Sequence, residues 1–328
     1  MATTVSNAFD EFMKKIVNLD PNEVEIARTS RDNLLSNIAA FSDDIDFFDT
    51  YDKRSLKFGS FARSTKIREL DDIDLMICLS GGEVRYYEED GDYIYIVGDD
   101  FDSDNGLLSD YSSHLNSTKV INRFIKKLKT LNDYGKAEMR KNQEAATLKL
   151  KSYTWNYDIV PCFYTVNEFY LIPDGSGNWK KADPRIDNER TTSTNQKHNG
   201  KLLELIRLIK YWNKRPIAPT IPSYLLECMI VKRYIDLDVS NSWWIDFEFQ
   251  DTVDYLSKEI LNAFYDPKGI QGDLNNFSIV DRAKISKALA NAKAKAEEAI
   301  QLETSSSDYE ASINKWREIL GTDFPLYG

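Results

Sequence analysis

The sequence predicts an α+β protein, with a mixed α/β lobe over residues 1–185 and an all-helical lobe over 186–328. Three observations carry this reading. Short apolar runs bounded by turn residues, at 73–79, 145–150 and 154–163, read as strands. After about Ala182 the apolar spacing changes to a helical period. The length, 328 residues, exceeds one ordinary domain and suffices for two packed lobes. Ligands commonly sit between two such lobes, so an active site in the cleft between them is expected.

The elements follow in order. Asp20-Pro21-Asn22-Glu23 reads as a helix start, with a capping Asp, Pro at the first position and Glu at the third. A long helix to about Phe41 follows. Residues 55–58 form a short strand, then a Gly59-Ser60 turn leads into a short helix. Residues 84–97 read as a hairpin with Glu89-Asp90-Gly91-Asp92 at its tip. Ser117 caps a helix through Leu131, and a second hairpin spans 169–179 around Asp174-Gly175-Ser176-Gly177. In the second lobe, helices are expected over 201–213, 222–235, 247–264, 279–303 and 308–320, the last closed by Gly321.

Composition narrows the function. Apolar residues make up 42%, enough for a core, and no apolar run approaches the roughly 20 residues of a membrane span. The first residues, MATTVSNAFDEFMKK, lack a secretory pattern, so a soluble cytoplasmic protein is expected. Cys78, Cys162 and Cys228 sit far apart among apolar neighbours and read as buried reduced thiols. Only His114 and His198 are present, each read as a surface or capping residue, which excludes a histidine-rich zinc site. The net charge of -11 argues against a surface for long nucleic acid. It leaves room for a small polyanion such as an NTP, because bound cations invert the local sign. The basic run Lys119, Arg123, Lys126, Lys127 and Lys129 reads as a solvated helix face.

The chemistry concentrates in two stretches. Asp72 and Asp74 flank Ile73, and residues two apart in a strand point to one face. Two carboxylates so placed repel unless a cation sits between them, and Mg²⁺ suits hard oxygen donors. An acidic turn ahead of the strand is the plainer alternative, but Leu75-Met76-Ile77 already reads as strand interior. Asp158, alone in Tyr157-Asp158-Ile159-Val160-Pro161, reads by itself as a buried satisfied acid. With the first two it completes the three carboxylates that two-metal phosphoryl transfer requires. Gly59-Ser60 offers backbone N–H groups and a hydroxyl to an anion at a helix start. Eleven residues separate Ser60 from Asp72, enough for a short helix and a return to the adjacent strand. Arg63 and Thr65 either aid this phosphate loop or tie the short helix to the sheet.

Gly59-Ser60, Asp72-Ile73-Asp74 and Asp158 together resemble the signature of the DNA polymerase β-like nucleotidyltransferase superfamily. The segments GSFARSTKI, LDDIDLMI, YDIVPCF, LLELIRLIKYWN, IPSYLLECMIVKRY and INKWREILGTDFP are similar to the bacterial cGAS/DncV-like nucleotidyltransferases (CD-NTases). The resemblance runs from the first helix to Pro325, and the hairpin at 84–97 has no place in it. It implies a polymerase β-like lobe plus a helical lobe. It also implies a synthase that joins NTPs into cyclic di- or trinucleotide second messengers for anti-phage signalling.

By the same resemblance, Asp72, Asp74 and Asp158 would hold two Mg²⁺ ions, with Mn²⁺ as a substitute. Gly59 and Ser60 would hold the donor triphosphate. Lys210 and Ser223 would contact phosphates, and Tyr224 would stack on the donor base. Read without the resemblance, Lys210 is a solvated helix residue, Ser223 the first-turn residue after Pro222, and Tyr224 core. Glu227 reads as the partner of a basic residue. The partners implied are NTPs, a separate effector protein that binds the product, and a candidate regulatory protein; neither long nucleic acid nor membrane is expected. The alternatives are a linear 2′–5′ oligoadenylate-type synthase, a transferase acting on another acceptor, and a catalytically silent nucleotide sensor.

Overall fold

The computed structural model describes residues 2–43, 47–82, 84–89, 93–98, 106–110, 112–238 and 242–328. Helix α1 (Val5–Phe12) runs into a π-helical turn (Met13–Val17) and is followed by α2 (Pro21–Ala39), β1 (Leu56–Phe58), α3 (Gly59–Ala62) and β2 (Asp72–Leu79). The pair β3 (Arg85–Glu89) and β4 (Tyr93–Val97) precedes α4 (Ser117–Leu128). Strands β5 (Glu138–Asn142), β6 (Ala145–Lys149), β7 (Asn156–Tyr164), β8 (Tyr170–Pro173) and β9 (Trp179–Ala182) come next. Helices α5 (Pro184–Lys197), α6 (Leu202–Asn213), α7 (Ser223–Asp236), α8 (Ile245–Glu259), α9 (Ile279–Ser306) and α10 (Tyr309–Leu320) complete the chain.

These elements fall into two compact units. One holds Asn22–Arg63 and Leu70–Arg185 and contains the sheet. The other holds Met1–Pro21, Ser64–Glu69 and Ile186–Gly328 and is helical. Both units draw on separated stretches of chain.

In the sheet unit the strands run in the order β1-β2-β7-β8-β9-β4-β3, with β6 also paired to β7 and β5 to β6. β2 and β7 are parallel and in register from Asp72 against Asn156 to Leu79 against Phe163; β1 and β6 flank them antiparallel. Alternation decides the two faces. Ile73, Leu75, Ile77, Tyr157 and Ile159 are buried, and the Tyr157 hydroxyl donates to Ser30 Oγ of α2 at 2.7 Å. α2 therefore covers that face. Asp72, Asp74, Asn156 and Asp158 point the other way and are half-buried.

The helical unit is built around aromatic and aliphatic side chains spaced for helices. Val5, Ala8, Phe9 and Phe12 form the buried stripe of α1. Phe9 meets Trp316 and Phe324 edge-on, with ring centroids 4.9 and 5.0 Å apart. Leu205, Met229 and Phe249 join the same core. Among the described residues no helix is long and apolar enough to cross a membrane.

The structure differs from the sequence expectations at several points. α5 falls outside the helices expected from the sequence, and it has no apolar stripe to announce it. β5 is likewise polar and unexpected. Asn116, not Ser117, caps α4, its side chain accepting from the Lys119 amide at 3.1 Å. His198 is buried rather than superficial, its Nε2 2.8 Å from the Tyr234 carbonyl oxygen. The three cysteines are free and buried, as expected. Residues 90–92 of the expected hairpin tip lie outside the described residues.

Candidate active site

The three acids meet through strand register. Asp72 and Asp74 lie two apart on β2, and Asp74 stands beside Asp158 on β7. Across four strands one row reads Phe58, Asp74, Asp158, Thr147. Neighbours in a row share a face, so all three carboxylates leave the same side of the sheet. Both strands carry the same burial pattern: half-buried at the acids, buried at the apolar residues between them. Beyond the acids this face turns apolar, with Met76, Cys78, Val160 and Cys162 in one buried cluster. The apolar cluster anchors one end of the face, and the acids occupy its more open end.

Thr147 is the residue that sequence reasoning missed. Its Oγ1 donates to Asp158 Oδ1 at 2.6 Å and fixes that carboxylate. Nothing in the run Ala145-Ala146-Thr147-Leu148 marks it, because a threonine is unremarkable in a strand. Among the described residues no three His, Cys, Asp or Glu side chains converge closely enough to enclose a metal ion. Register thus brings the acids side by side, while Asp158 is engaged by Thr147.

Gly59 lies against Asp74. Its φ is +74°, and a Cβ there would fall 1.8 Å from Asp74 Oδ2. Glycine is required twice, by the backbone angle and by the carboxylate. Ser60 follows half-buried in α3, and the Arg63 amide closes the turn on the Gly59 carbonyl at 3.2 Å. Thr65 is fully buried and belongs to the helical unit's segment 64–69. That segment is gripped by α6: Arg207 Nη1 donates to the Ser64 carbonyl at 2.7 Å, and Lys210 Nζ to the Thr65 carbonyl at 3.0 Å.

Lys210 is no solvated helix residue. It is 5% exposed and pairs with Glu227 Oε1 at 2.7 Å, as expected of Glu227. Ser223 opens α7 and is exposed. Tyr224 is half-buried, and its hydroxyl donates within reach of Asp187 Oδ1 at 2.9 Å and Asp266 Oδ1 at 3.1 Å. Lys268 bonds the same hydroxyl and lies 4.2 Å from the ring centroid, covering one face. It also pairs with Asp187 and Asp266 at 3.1 and 3.2 Å. Burial and the adjacent Cys228, Asp187 and Asp266 push the Tyr224 hydroxyl well above the ordinary tyrosine range, so it stays protonated. Apart from the Asp266–Lys268 pair, which is local, these contacts span 37 to 81 residues of sequence and leave no local signal.

Comparison with known proteins adds to this geometry. Residues 3–195 match the model of the Second Messenger Oligonucleotide or Dinucleotide Synthetase (SMODS) domain. The chain is 41% identical over 336 residues to a probable cyclic nucleotide synthase of Bacillus cereus strain VD146, covering 100% of this chain and 99% of that one. CdnC of E. coli MS115-1, solved with ATP, superimposes with a TM-score of 0.70 at 16% identity over 98% of both chains. The same protein in complex with HORMA-deltaN gives 0.69 at 17% identity. Vibrio cholerae DncV, a cyclic AMP-GMP synthase and prokaryotic cGAS homolog, gives 0.57 at 13% identity, covering 83% of this chain and 69% of that one. At these identities the solved structures show a shared fold.

Proposed function

The chain belongs to the family of Second Messenger Oligonucleotide or Dinucleotide Synthetases, and on that premise we propose that it joins NTPs, ATP among them, into a cyclic di- or trinucleotide and releases pyrophosphate. One observation carries the reading: Asp74 and Asp158 stand in register, with Asp72 on the same face and Gly59 packed on the Asp74 carboxylate. Nucleotidyl transfer requires an α-phosphorus held in line with a hydroxyl and a sink for the charge on the leaving pyrophosphate.

The donor set fits Mg²⁺, or Mn²⁺ in its place, because the row Asp74, Asp158 and Thr147 presents oxygen donors only. Asp72, Asp74 and Asp158 would hold two ions, which supply activation of the attacking hydroxyl and neutralisation of the leaving pyrophosphate. Thr147 orients the Asp158 carboxylate. Gly59 and Ser60 cradle the donor triphosphate with backbone and hydroxyl donors, and Arg63 adds a cation beside them. Lys210 serves the phosphates by fixing the backbone at Thr65, five residues beyond Ser60. Ser223 contacts phosphate from the exposed start of α7. Tyr224, its hydroxyl tied down, offers a fixed ring on which any base can stack.

The product would act as a second messenger in anti-phage defence, read by a separate effector protein in the cytoplasm, where NTPs are supplied. A regulatory protein partner is consistent with this reading, since CdnC is found in complex with HORMA-deltaN. The net charge of -11 favours small NTPs over long nucleic acid.

The test is a product assay. Purified protein is incubated with Mg²⁺ or Mn²⁺ and all four NTPs, one labelled at the α-phosphate per reaction, then treated with phosphatase and analysed by mass spectrometry. Phosphatase-resistant products with cyclic di- or trinucleotide masses, absent from Asp72→Ala, are expected. Linear products only would replace this reading with an oligoadenylate-type synthase.

A further inference from the structure

The hairpin of β3 and β4 takes no part in the site described above. β3 is the last strand in the sheet order, and among the described residues nothing pairs with its outer edge. The strand carries no proline and no bulge: residues 85–89 pair one to one with 93–97. Such an edge offers a row of unpaired backbone N–H and C=O groups to another strand.

The two faces of β3 differ. On one, the Tyr86 hydroxyl accepts from Asn167 Nδ2 at 2.6 Å, and Glu88 pairs with Lys181 at 2.8 Å. On the other stand Arg85, Tyr87 and Glu89, all exposed. Tyr87 stacks on Tyr95 of β4 with ring centroids 5.4 Å apart, and Tyr95 stacks on His114 at 4.1 Å. This ladder of rings runs across the strands towards the edge and stops at Tyr87, which is 45% exposed. Among the described residues Arg85 and Glu89 have no ion-pair partner. They cannot serve each other, because four residues of strand hold them roughly 13 Å apart.

A second copy of the same strand supplies what this edge lacks. Charges on an edge ordinarily discourage pairing. Here the two on the ladder face are opposite in sign and symmetric about Tyr87. An antiparallel copy aligned on Tyr87 sets Arg85 against Glu89 of the second copy, and Tyr87 against its own equivalent. Cross-strand pairs of opposite charge and of aromatic rings both stabilise a sheet. Moving the axis to Glu88 sets that carboxylate against its own copy, and moving it to Tyr86 sets Arg85 against Tyr87. Only the Tyr87 axis satisfies both charges and continues the ladder.

We propose that the outer edge of β3 is a homodimer interface, at which two copies pair antiparallel about a two-fold axis at Tyr87. The pairing is isologous, so the charge pair forms twice and the assembly closes at two copies. It is independent of the nucleotidyl transfer proposed above. Two short edges bury less than the standard interface of roughly 1,600 Å², so the dimer is weak and reversible.

Full-length protein at low ionic strength is followed by sedimentation equilibrium from about 1 μM to about 1 mM. A monomer–dimer equilibrium is expected. Arg85→Glu and Glu89→Arg each turn two attractions into two repulsions and should weaken the dimer roughly ten-fold or more. The double variant Arg85→Glu with Glu89→Arg exchanges the signs and should return the affinity to within about three-fold of the parent. Both side chains are exposed, and that recovery separates a loss of pairing from a loss of folding. A parent that stays monomeric throughout, species larger than a dimer, single variants that dimerise like the parent, or a double variant as weak as the single ones overturns the proposal.

Discussion

The acid face of the sheet unit and the polar clusters of the helical unit treat charge in opposite ways. On the sheet, Asp72, Asp74 and Asp158 are gathered on one half-buried face by strand register. In the helical unit, Lys210 with Glu227, and Lys268 with Asp187 and Asp266, are sealed together with side chains at most 11% exposed. Charges sealed against each other hold helices in place. Like charges gathered on a half-buried face are what the nucleotidyl transfer proposed above would use. The difference separates two jobs that residue type alone does not distinguish.

Each side of that contrast can be broken. The largest effect is expected from Asp72→Ala or Asp74→Asn: turnover should fall roughly a hundred-fold or more, with the urea midpoint changing far less than turnover. A drop in activity matched by unfolding would show the acids to be structural. Next is Glu227→Ala, which strands the buried Lys210 ammonium and should cost about 3–5 kcal/mol in urea denaturation. The double variant Glu227→Leu with Lys210→Met should recover most of that stability. A single variant as stable as the parent would remove the pair from the scaffold.

Gly59→Ala should cost about 1–3 kcal/mol and reduce turnover as well, because the new methyl displaces the Asp74 carboxylate. Intact activity there would mean that the turn can shift without consequence. The smallest effect concerns Asp32, whose carboxyl is held at about 2, chiefly by the Arg31 hydrogen bond and then by Lys57. A depressed carboxyl stabilises the fold above its unfolded value and loses that contribution as pH falls towards 2. With the side chain 54% exposed, solvent screening keeps the contribution under about 1 kcal/mol. Comparing acid denaturation of the parent with Asp32→Asn should show the gap between them closing as pH drops.

Legibility followed the reach of each signal. Asp20-Pro21 announced α2 because capping chemistry is local, and the structure starts that helix at Pro21. The apolar runs of β2 and β7 announced buried strands, and the break in each run at an acid marked the candidate site. α5 gave no such warning, because a helix polar all round has no periodic stripe. α1 carries one, at Val5, Ala8, Phe9 and Phe12 behind the Thr4 cap.

The sequence by itself determined which residue types were available: three strand acids, a glycine-serine turn, and a helical second half. Those follow from composition, period two and period 3.6, all properties of neighbouring residues. Only the tertiary structure decided that Asp74 stands beside Asp158, that Thr147 holds Asp158, and that Lys210 answers to Glu227 and Thr65. Register between strands and pairing between helices are set by how distant faces bury one another, and no local stretch of chain records that choice.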